Sequence, residues 1–315
     1  METRPLGASG IQASVVGLGC NNFGMKIDLE ASRAVIDTAL EVGITCFDTA
    51  DMYGKGQSEE FLGKVLGPRR KDIVLATKFG GVAKMAKSGE RWGAGEYIRL
   101  RVEDSLRRLQ TDWIDLYQMH YPDPNTPIEE TLEMLNTLVR QGKVRAIGHS
   151  NFSAEQMNEA GRQSTAHNFA HFVTAQNDWS LLNRAVEADA IPACERHGLG
   201  QLPYFPLASG MLTGKYRRGE DFAPGTRLAV LPFTQRMASE ENFAKVEILQ
   251  DFAGQRGHTL LELAMSWLAA QPCVTSVIAG ATTPAQVRAN AAATNWKLSA
   301  EEVAQIDALA SGVPA

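Results

Sequence analysis

Cysteine is scarce in this chain: four in 315 residues, Cys20, Cys46, Cys194 and Cys273, far apart and with no CxxC. That usage argues against a disulfide framework or a cysteine zinc site, and it fits a reducing, cytoplasmic setting. An excess of one charge is also missing. With 31 basic and 36 acidic residues the net charge is −5, which gives no electrostatic footprint for nucleic acid or an anionic membrane. The Arg69-Arg70 pair reads as solvated surface. No apolar run approaches the length of a membrane span, and no charged n-region precedes an apolar one, so neither a transmembrane helix nor a signal peptide is expected. The usual phosphate fingerprints are absent as well. Gly17 and Gly19 are not spaced as GxGxxG, "GAGEYI" lacks the third glycine, and no Walker loop occurs, so Rossmann-type binding is not supported. There is no HxH pair, and no metal is expected.

The chain does have the composition of a globular protein, 44% hydrophobic and 21% charged, and is long enough to bury a large core. A single domain over 1–315 is expected. Eight short apolar runs recur: 14–20, 44–50, 73–79, 113–120, 144–151, 171–178, 200–207 and 274–281. Their interiors do not alternate, as expected of parallel strands covered on both faces. Segments of helical spacing lie between them. Ala31, Val35, Thr38 and Val42 share one face; Ile98, Val102, Leu106 and Leu109 share another; Leu132, Leu135 and Val139 a third. Thr126 reads as an N-cap with Pro127 at the first helical position. Capping-box pairs are expected at Ser153/Gln156, Thr259/Glu262, Thr283/Gln286 and Ser299/Glu302. Alternating strands and helices imply right-handed βαβ units, and eight of them point to a (β/α)8 TIM barrel, with an open doubly wound sheet as the competing arrangement. "RPLGASGIQAS" (4–14) reads as a short N-terminal β-hairpin able to plug the barrel bottom. The segment 211–238 shows no clear pattern, and a loop of that length in a compact protein is usually functional.

The polar residues at the ends of these runs point to a site. The second run ends in Asp48, with Tyr53 just beyond. The third ends in Lys78, the fourth in His120, the fifth in Ser150 and Asn151. The sixth carries Gln176 and Asn177, and the seventh Tyr204. Singly, Lys78 reads as a snorkelling surface residue and His120 as a satisfied core residue. In a barrel all these positions converge on the C-terminal mouth, where barrel enzymes place their chemistry. A phenol is a weak acid at neutral pH; an ammonium beside it lowers its pKa, and a carboxylate anchors the ammonium. An imidazole can orient a carbonyl oxygen. Asp48, Tyr53, Lys78 and His120 are thus the types needed to protonate a carbonyl oxygen as hydride reaches carbon. Asp51, between two of them, is read as a loop or cap residue. "AGATTPAQVRAN" places Thr282 and Thr283 at a helix start after the last strand, a setting that favours anions. Phe23, Trp92 and Tyr121 offer either apolar surface to a substrate or ordinary packing. Arg91 reads as surface.

"FDTADMYG", "LATKFG", "LYQMHYPD", "IGHSNFS", "PLASGMLTGKY" and "GATTPAQVRAN", in this order, resemble the aldo-keto reductases over almost the whole chain. "PLASGMLTGKY" resembles the bacterial branch that also includes potassium-channel β subunits. The resemblance implies a barrel that binds NADPH/NADP+ in extended form, and the tetrad Asp48, Tyr53, Lys78 and His120 with Tyr53 as general acid or base. It implies Ser150, Asn151 and Gln176 at the nicotinamide carboxamide, Tyr204 stacked on the ring, and Gly19 and Cys20 near its ribose. Leu207, Ser209, Gly210 and Lys215 would line the pyrophosphate, with Phe205 and Arg227 in the same set of contacts. Gly280, Thr282, Gln286 and Asn290 would surround the adenosine end. The family's usual cations near Gly280 or Thr282 and at Gln286, and its acid at Ala289, are replaced here. Arg288 is left either for a 2′-phosphate or for solvent, and NADH use stays open. The expected activity is reversible reduction of an aldehyde or ketone, with two alternatives: a redox-sensing regulatory subunit with slow turnover, and a hydrolase using His120 with Asp48. Substrate identity and oligomeric state are not legible.

Overall fold

The N-terminal hairpin forms as expected. In the computed structural model, which describes residues 1–81, 89–230 and 232–311, β1 (Thr3–Pro5) pairs antiparallel with β2 (Gln12–Ser14). A 3-10 turn at Gly7–Ser9 and left-handed Gly10 (φ 75°) reverse the chain between them. The other eight strands are parallel and lie in the eight apolar runs: β3 (Val16–Gly19), β4 (Cys46–Asp48), β5 (Val74–Phe79), β6 (Ile114–Met119), β7 (Val144–Ser150), β8 (Phe172–Gln176), β9 (Gly200–Gln201) and β10 (Val277–Gly280). Their order is β10-β3-β4-β5-β6-β7-β8-β9. The two ends also meet. Gln201 N donates to Cys273 O at 2.7 Å, Thr275 N to Gln201 O at 2.9 Å, and Ile278 N to Pro203 O at 2.9 Å. These bonds close the sheet, so the barrel and not the open sheet is the outcome.

Helices wrap the outside: α1 (Leu29–Glu41), α2 (Gln57–Leu66), α3 (Gly95–Leu109), α4 (Ile128–Arg140), α5 (Ala154–His167), α6 (Ala190–Arg196), α7 (Arg227–Val230), α8 (Glu240–Gly254), α9 (Leu260–Ala270), α10 (Pro284–Ala292) and α11 (Ala300–Ser311). The stripe Ile98, Val102, Leu106 and Leu109 of α3 is buried as read. On α1 the buried face runs through Ser32, Val35, Ile36 and Ala39, so Ala31 and Val42 mark its edges. Full capping boxes form at Ser153/Gln156, Thr259/Glu262 and Ser299/Glu302. The Thr283 box is only half made: Thr283 Oγ1 accepts from Gln286 N, while the Gln286 side chain reaches Thr282 N at 2.7 Å. Thr126 is not the α4 cap. Its hydroxyl donates to Asp123 Oδ2 at 2.7 Å, a carboxylate that outcompetes the helix, and Pro127 takes the cap position. The patternless 211–238 segment is anchored to the main core: Leu228 is fully buried in it and its N–H donates to Tyr216 Oη, and Phe222 packs edge-on to Tyr216.

Strand parity divides the barrel interior into two layers. Residues two apart on a strand face the same side. Cys46, Val74, Ala76, Leu116, Ala146, Leu202 and Ile278 form one apolar cluster with Leu6, Ile11 and Ala13 of the hairpin. This is the lower half, sealed by the plug. Two residues further along the same strands come Asp48, Lys78 and Gln118, which form the upper, polar half. Phe47, Leu75 and Tyr117, of opposite parity, pack outward against the helices. The plug is fitted by Gly7: at φ 48° a Cβ there would lie 2.1 Å from Val173 O and 3.0 Å from Gly198 O. Gly7→Ala is expected to lower the stability of the fold by roughly 2–3 kcal/mol, through backbone strain and clash with β8, read as a lower denaturant midpoint.

Candidate active site

The tetrad assembles at the mouth. Lys78, fully buried on β5, donates from Nζ to Asp48 Oδ2 at 2.7 Å and to Thr49 O at 2.8 Å. Gln176 Nε2 donates to Asp48 Oδ1 at 3.0 Å, and Gln118 Nε2 donates to the same oxygen at 3.3 Å. The Asp48 carboxylate is therefore held by three strands. Tyr53, half-buried, enters from the loop after β4, and Lys78 Nζ lies 5.3 Å from its ring centroid. The His120 ring sits edge-on to Tyr53, with centroids 5.9 Å apart, and stacks on Tyr121 at 4.9 Å.

Electrostatics sharpen the expected chemistry and correct part of it. Burial alone would push the Lys78 ammonium down, but Asp48 and Tyr53 outweigh it and hold its pKa above the usual value. Lys78 does act to lower the Tyr53 pKa, as expected. Burial of the phenol outweighs it, and with Asp48 also raising it the net shift is upward. Tyr53 therefore keeps its proton at neutral pH, with the Lys78 ammonium as the nearby charge that favours its ionised form.

The expected cofactor residues form connected groups. Ser150 Oγ donates to Gln176 O (2.8 Å); Asn151 Nδ2 donates to Ser150 Oγ and to His120 O (3.0 Å each); Tyr204 Oη donates to Asn151 Oδ1 (2.8 Å). Both Asn151 amide hydrogens are thus engaged, and its remaining capacity is as an acceptor, which suits the NH2 of a carboxamide. Gly19 pairs with both Asp48 and Gly280 across the rim. Cys20 is fully buried with its thiol on Leu18 O, and burial with Asp48 pushes its pKa well up, so the side chain stays a neutral thiol below the surface. Asn177 accepts from Gln201 Nε2 and is a packing residue.

Beyond Tyr204 the backbone turns left-handed at Phe205 (φ 52°), Ala208 (44°), Ser209 (59°) and Gly210 (97°). Gly210 takes a φ of 97° that favours glycine, and the Lys215 amine lies against it, 2.9 Å from where a Cβ would stand. Leu207 O accepts from Gly210 N and holds the turn. The Arg227 guanidinium lies 5.3 Å from the Phe205 centroid. Lys26, which no sequence motif marks, is close enough that burial, then Arg227 and Lys215, push its pKa down. Three cations around a glycine-lined turn fit a dianionic pyrophosphate. At the far end Gln286 is tied to Thr282, and Asn290 is buried. Arg288 is exposed to solvent, as one of its two readings had it. It pairs with Glu41 of α1 at 2.8 Å.

For two of the aromatic candidates the packing reading holds. Phe23 is fully buried in the core, and Trp92, also buried, donates from Nε1 to Tyr121 O, so both pack the fold. Tyr121 keeps a half-exposed position over His120. Arg91 pairs with Glu130 at the surface. Of the segments that the sequence offers as walls of a substrate pocket, 80–95 and 211–238, residues 82–88 and 231 lie outside the described residues. Gln118 was legible in principle: it stands two residues before His120 on one strand and so shares its face. For Lys26 the neighbouring sequence offers no such signal.

A closed parallel barrel, a buried Lys–Asp pair under a tyrosine and a cation-lined turn define a class, and the comparison with known proteins agrees: residues 15–311 match the model of the Aldo/keto reductase family, to which this chain belongs. It is 36% identical to the aldo-keto reductase YhdN of Bacillus subtilis, over 98% of this chain and 93% of that protein. It is 33% identical to a probable voltage-gated potassium channel subunit beta of Arabidopsis thaliana, over 92% and 90%. The same identity holds with the L-glyceraldehyde 3-phosphate reductase of Escherichia coli K12, over 98% and 92%.

Proposed function

We propose that this chain is an NAD(P)H-dependent carbonyl reductase that converts an aldehyde or ketone reversibly to the alcohol. The observation that carries the reading is the buried Lys78–Asp48 pair beneath a protonated Tyr53, with the His120 ring against it. Gly19, Ser150, Asn151, Gln176 and Tyr204 would hold the nicotinamide; the turn 205–210, Lys215, Arg227 and Lys26 the pyrophosphate; Gly280, Thr282, Gln286 and Asn290 the adenosine end. The chemistry that a reduced nicotinamide would supply there is hydride for the carbonyl carbon. Tyr53 gives its proton to the carbonyl oxygen, and Lys78 stabilises the phenolate left behind. Asp48 holds Lys78 ionised and in place, and His120 orients the oxygen. Consumption of NADPH over a panel of aldehydes, quinones, keto-steroids and sugars tests the reading, repeated with NADH.

The likeness to a potassium-channel β subunit supports a second reading, a cofactor-binding sensor with slow turnover. Tight cofactor retention with negligible turnover across that panel favours it; rapid turnover rejects it.

Because the neutral Gln286 offers a 2′-phosphate no charge-assisted bond, and Arg288 is shared with Glu41 at the surface, NADPH is expected to exceed NADH in kcat/KM by no more than about tenfold. Gln286→Arg should raise that ratio by about tenfold, the worth of one such bond. An unchanged ratio would place 2′-phosphate recognition elsewhere.

A further inference from the structure

Asp51 stands between the two catalytic residues of its loop, yet it belongs to a different compartment. Asp48 and Tyr53 face the barrel mouth. Asp51, half-buried, lies within electrostatic reach of groups on the outer side of the barrel wall. These are Glu59 of α2, Tyr97, Arg101 and Arg108 of α3, and Tyr117 of β6. The loop straddles the wall and is stitched to β5 from both sides. Thr49 N donates to Ala76 O at 2.9 Å, Asp51 N to Lys78 O at 3.1 Å, and Lys78 Nζ to Thr49 O.

The outer compartment suits a neutral carboxyl better than a carboxylate. Glu59, fully buried, already takes the Arg108 guanidinium (2.7 Å) and the Thr77 hydroxyl (2.6 Å). Arg101 turns to Asp104 at 3.4 Å. Asp51 Oδ1 is buried with no hydrogen-bond partner, and so are two other polar atoms of this cluster, Tyr117 Oη and Arg101 Nε. A carboxylate placed here has the Glu59 charge beside it and no cation of its own. Burial first, then Glu59, raise the Asp51 pKa to about 7, against the weaker pulls of Arg108, Arg101 and a hydrogen bond from the Met52 backbone N–H.

We propose that Asp51 is a positioning residue for Tyr53: its neutral carboxyl docks on the outer face of the barrel wall and holds the 48–53 loop so that Tyr53 stays over Lys78. Ionisation undocks it and loosens the loop. This rests on the reading of Tyr53 as proton donor. The sign is set by the raised pKa of an acid. Docking is fully present at low pH and is lost as pH rises through neutrality, while the unfolded chain ionises much earlier, so stability declines between the two values.

The test is Asp51→Asn, a neutral isostere, followed across pH by two readouts: kcat/KM for NADPH-dependent reduction of 4-nitrobenzaldehyde, and thermal unfolding without cofactor. In the native protein kcat/KM should fall about tenfold between about pH 6 and about pH 8, as one group ionises. In D51N it should stay flat within about twofold over that range, because the amide cannot ionise. The Tm of D51N should exceed that of the native protein at the alkaline end, and the gap should close towards acid pH. A native limb that persists in D51N belongs to another group, with His120 the neighbouring imidazole, and overturns the proposal. A Tm gap that does not change with pH also overturns it. If D51N does not fold, Asp51→Ser is read in the same two ways. If the native protein reduces no carbonyl at any pH, the carbonyl-reductase reading fails, and the Tm series still decides the docking.

Discussion

Tyr53→Phe is expected to lower kcat/KM for carbonyl reduction by about two to four orders of magnitude, the usual worth of a positioned general acid. Cofactor affinity should stay within about twofold, since Tyr53 contributes only its proton to the reaction and none of the bonds that would hold the dinucleotide. Fluorescence titration with NADPH beside steady-state rates measures both quantities. The phenylalanine ring keeps the edge-on packing with His120, so the change isolates the hydroxyl. Normal turnover by this variant would remove Tyr53 from the chemistry.

The second large effect is on Lys78. Lys78→Met removes the cation that holds the Asp48 carboxylate in a buried layer. Turnover should fall by about two orders of magnitude or more, because the phenolate left by proton transfer loses its stabilising charge. Stability should fall as well, by about 3–5 kcal/mol, the cost of a buried charge left without its partner. The double variant Asp48→Asn/Lys78→Met separates the two losses. With no charge left in the pair, most of the stability should return while turnover stays low. Chemical denaturation and kcat/KM on the three proteins read this directly. Recovery of turnover in the double variant would mean that the pair serves packing and not proton transfer.

Much of this arrangement was legible in the chain. The eight runs became the eight barrel strands because a parallel sheet covered on both faces demands apolar interiors, and few other folds write that pattern. The polar residues at the ends of the second to seventh runs marked the mouth. What stayed hidden depends on competition between partners distant in sequence. Thr126 has the look of a cap, but Asp123 takes its hydroxyl. Arg288 has the look of a phosphate ligand, but Glu41 claims it from the far end of α1. Lys26 joins Lys215 and Arg227 only through the closure of the barrel. The Tyr53 pKa moved up because burial, invisible in a local motif, outweighs the neighbouring ammonium.

The layered interior also governs how protons travel. Beneath Lys78 and Asp48 the barrel holds Cys46, Ala76, Leu116, Ala146, Leu202 and Ile278, closed off by Leu6 and Ile11. None of these is a carboxylate, amine or imidazole, and the Thr174 and Ser276 hydroxyls that lie among them are buried without a hydrogen-bond partner. The described residues of the lower half therefore offer no continuous proton relay. For the chemistry proposed here, every proton that Tyr53 gives up must be replenished from the mouth, by the same opening that admits substrate. Recharging of the acid and release of the alcohol then share one doorway, and a bulky product that lingers there delays both.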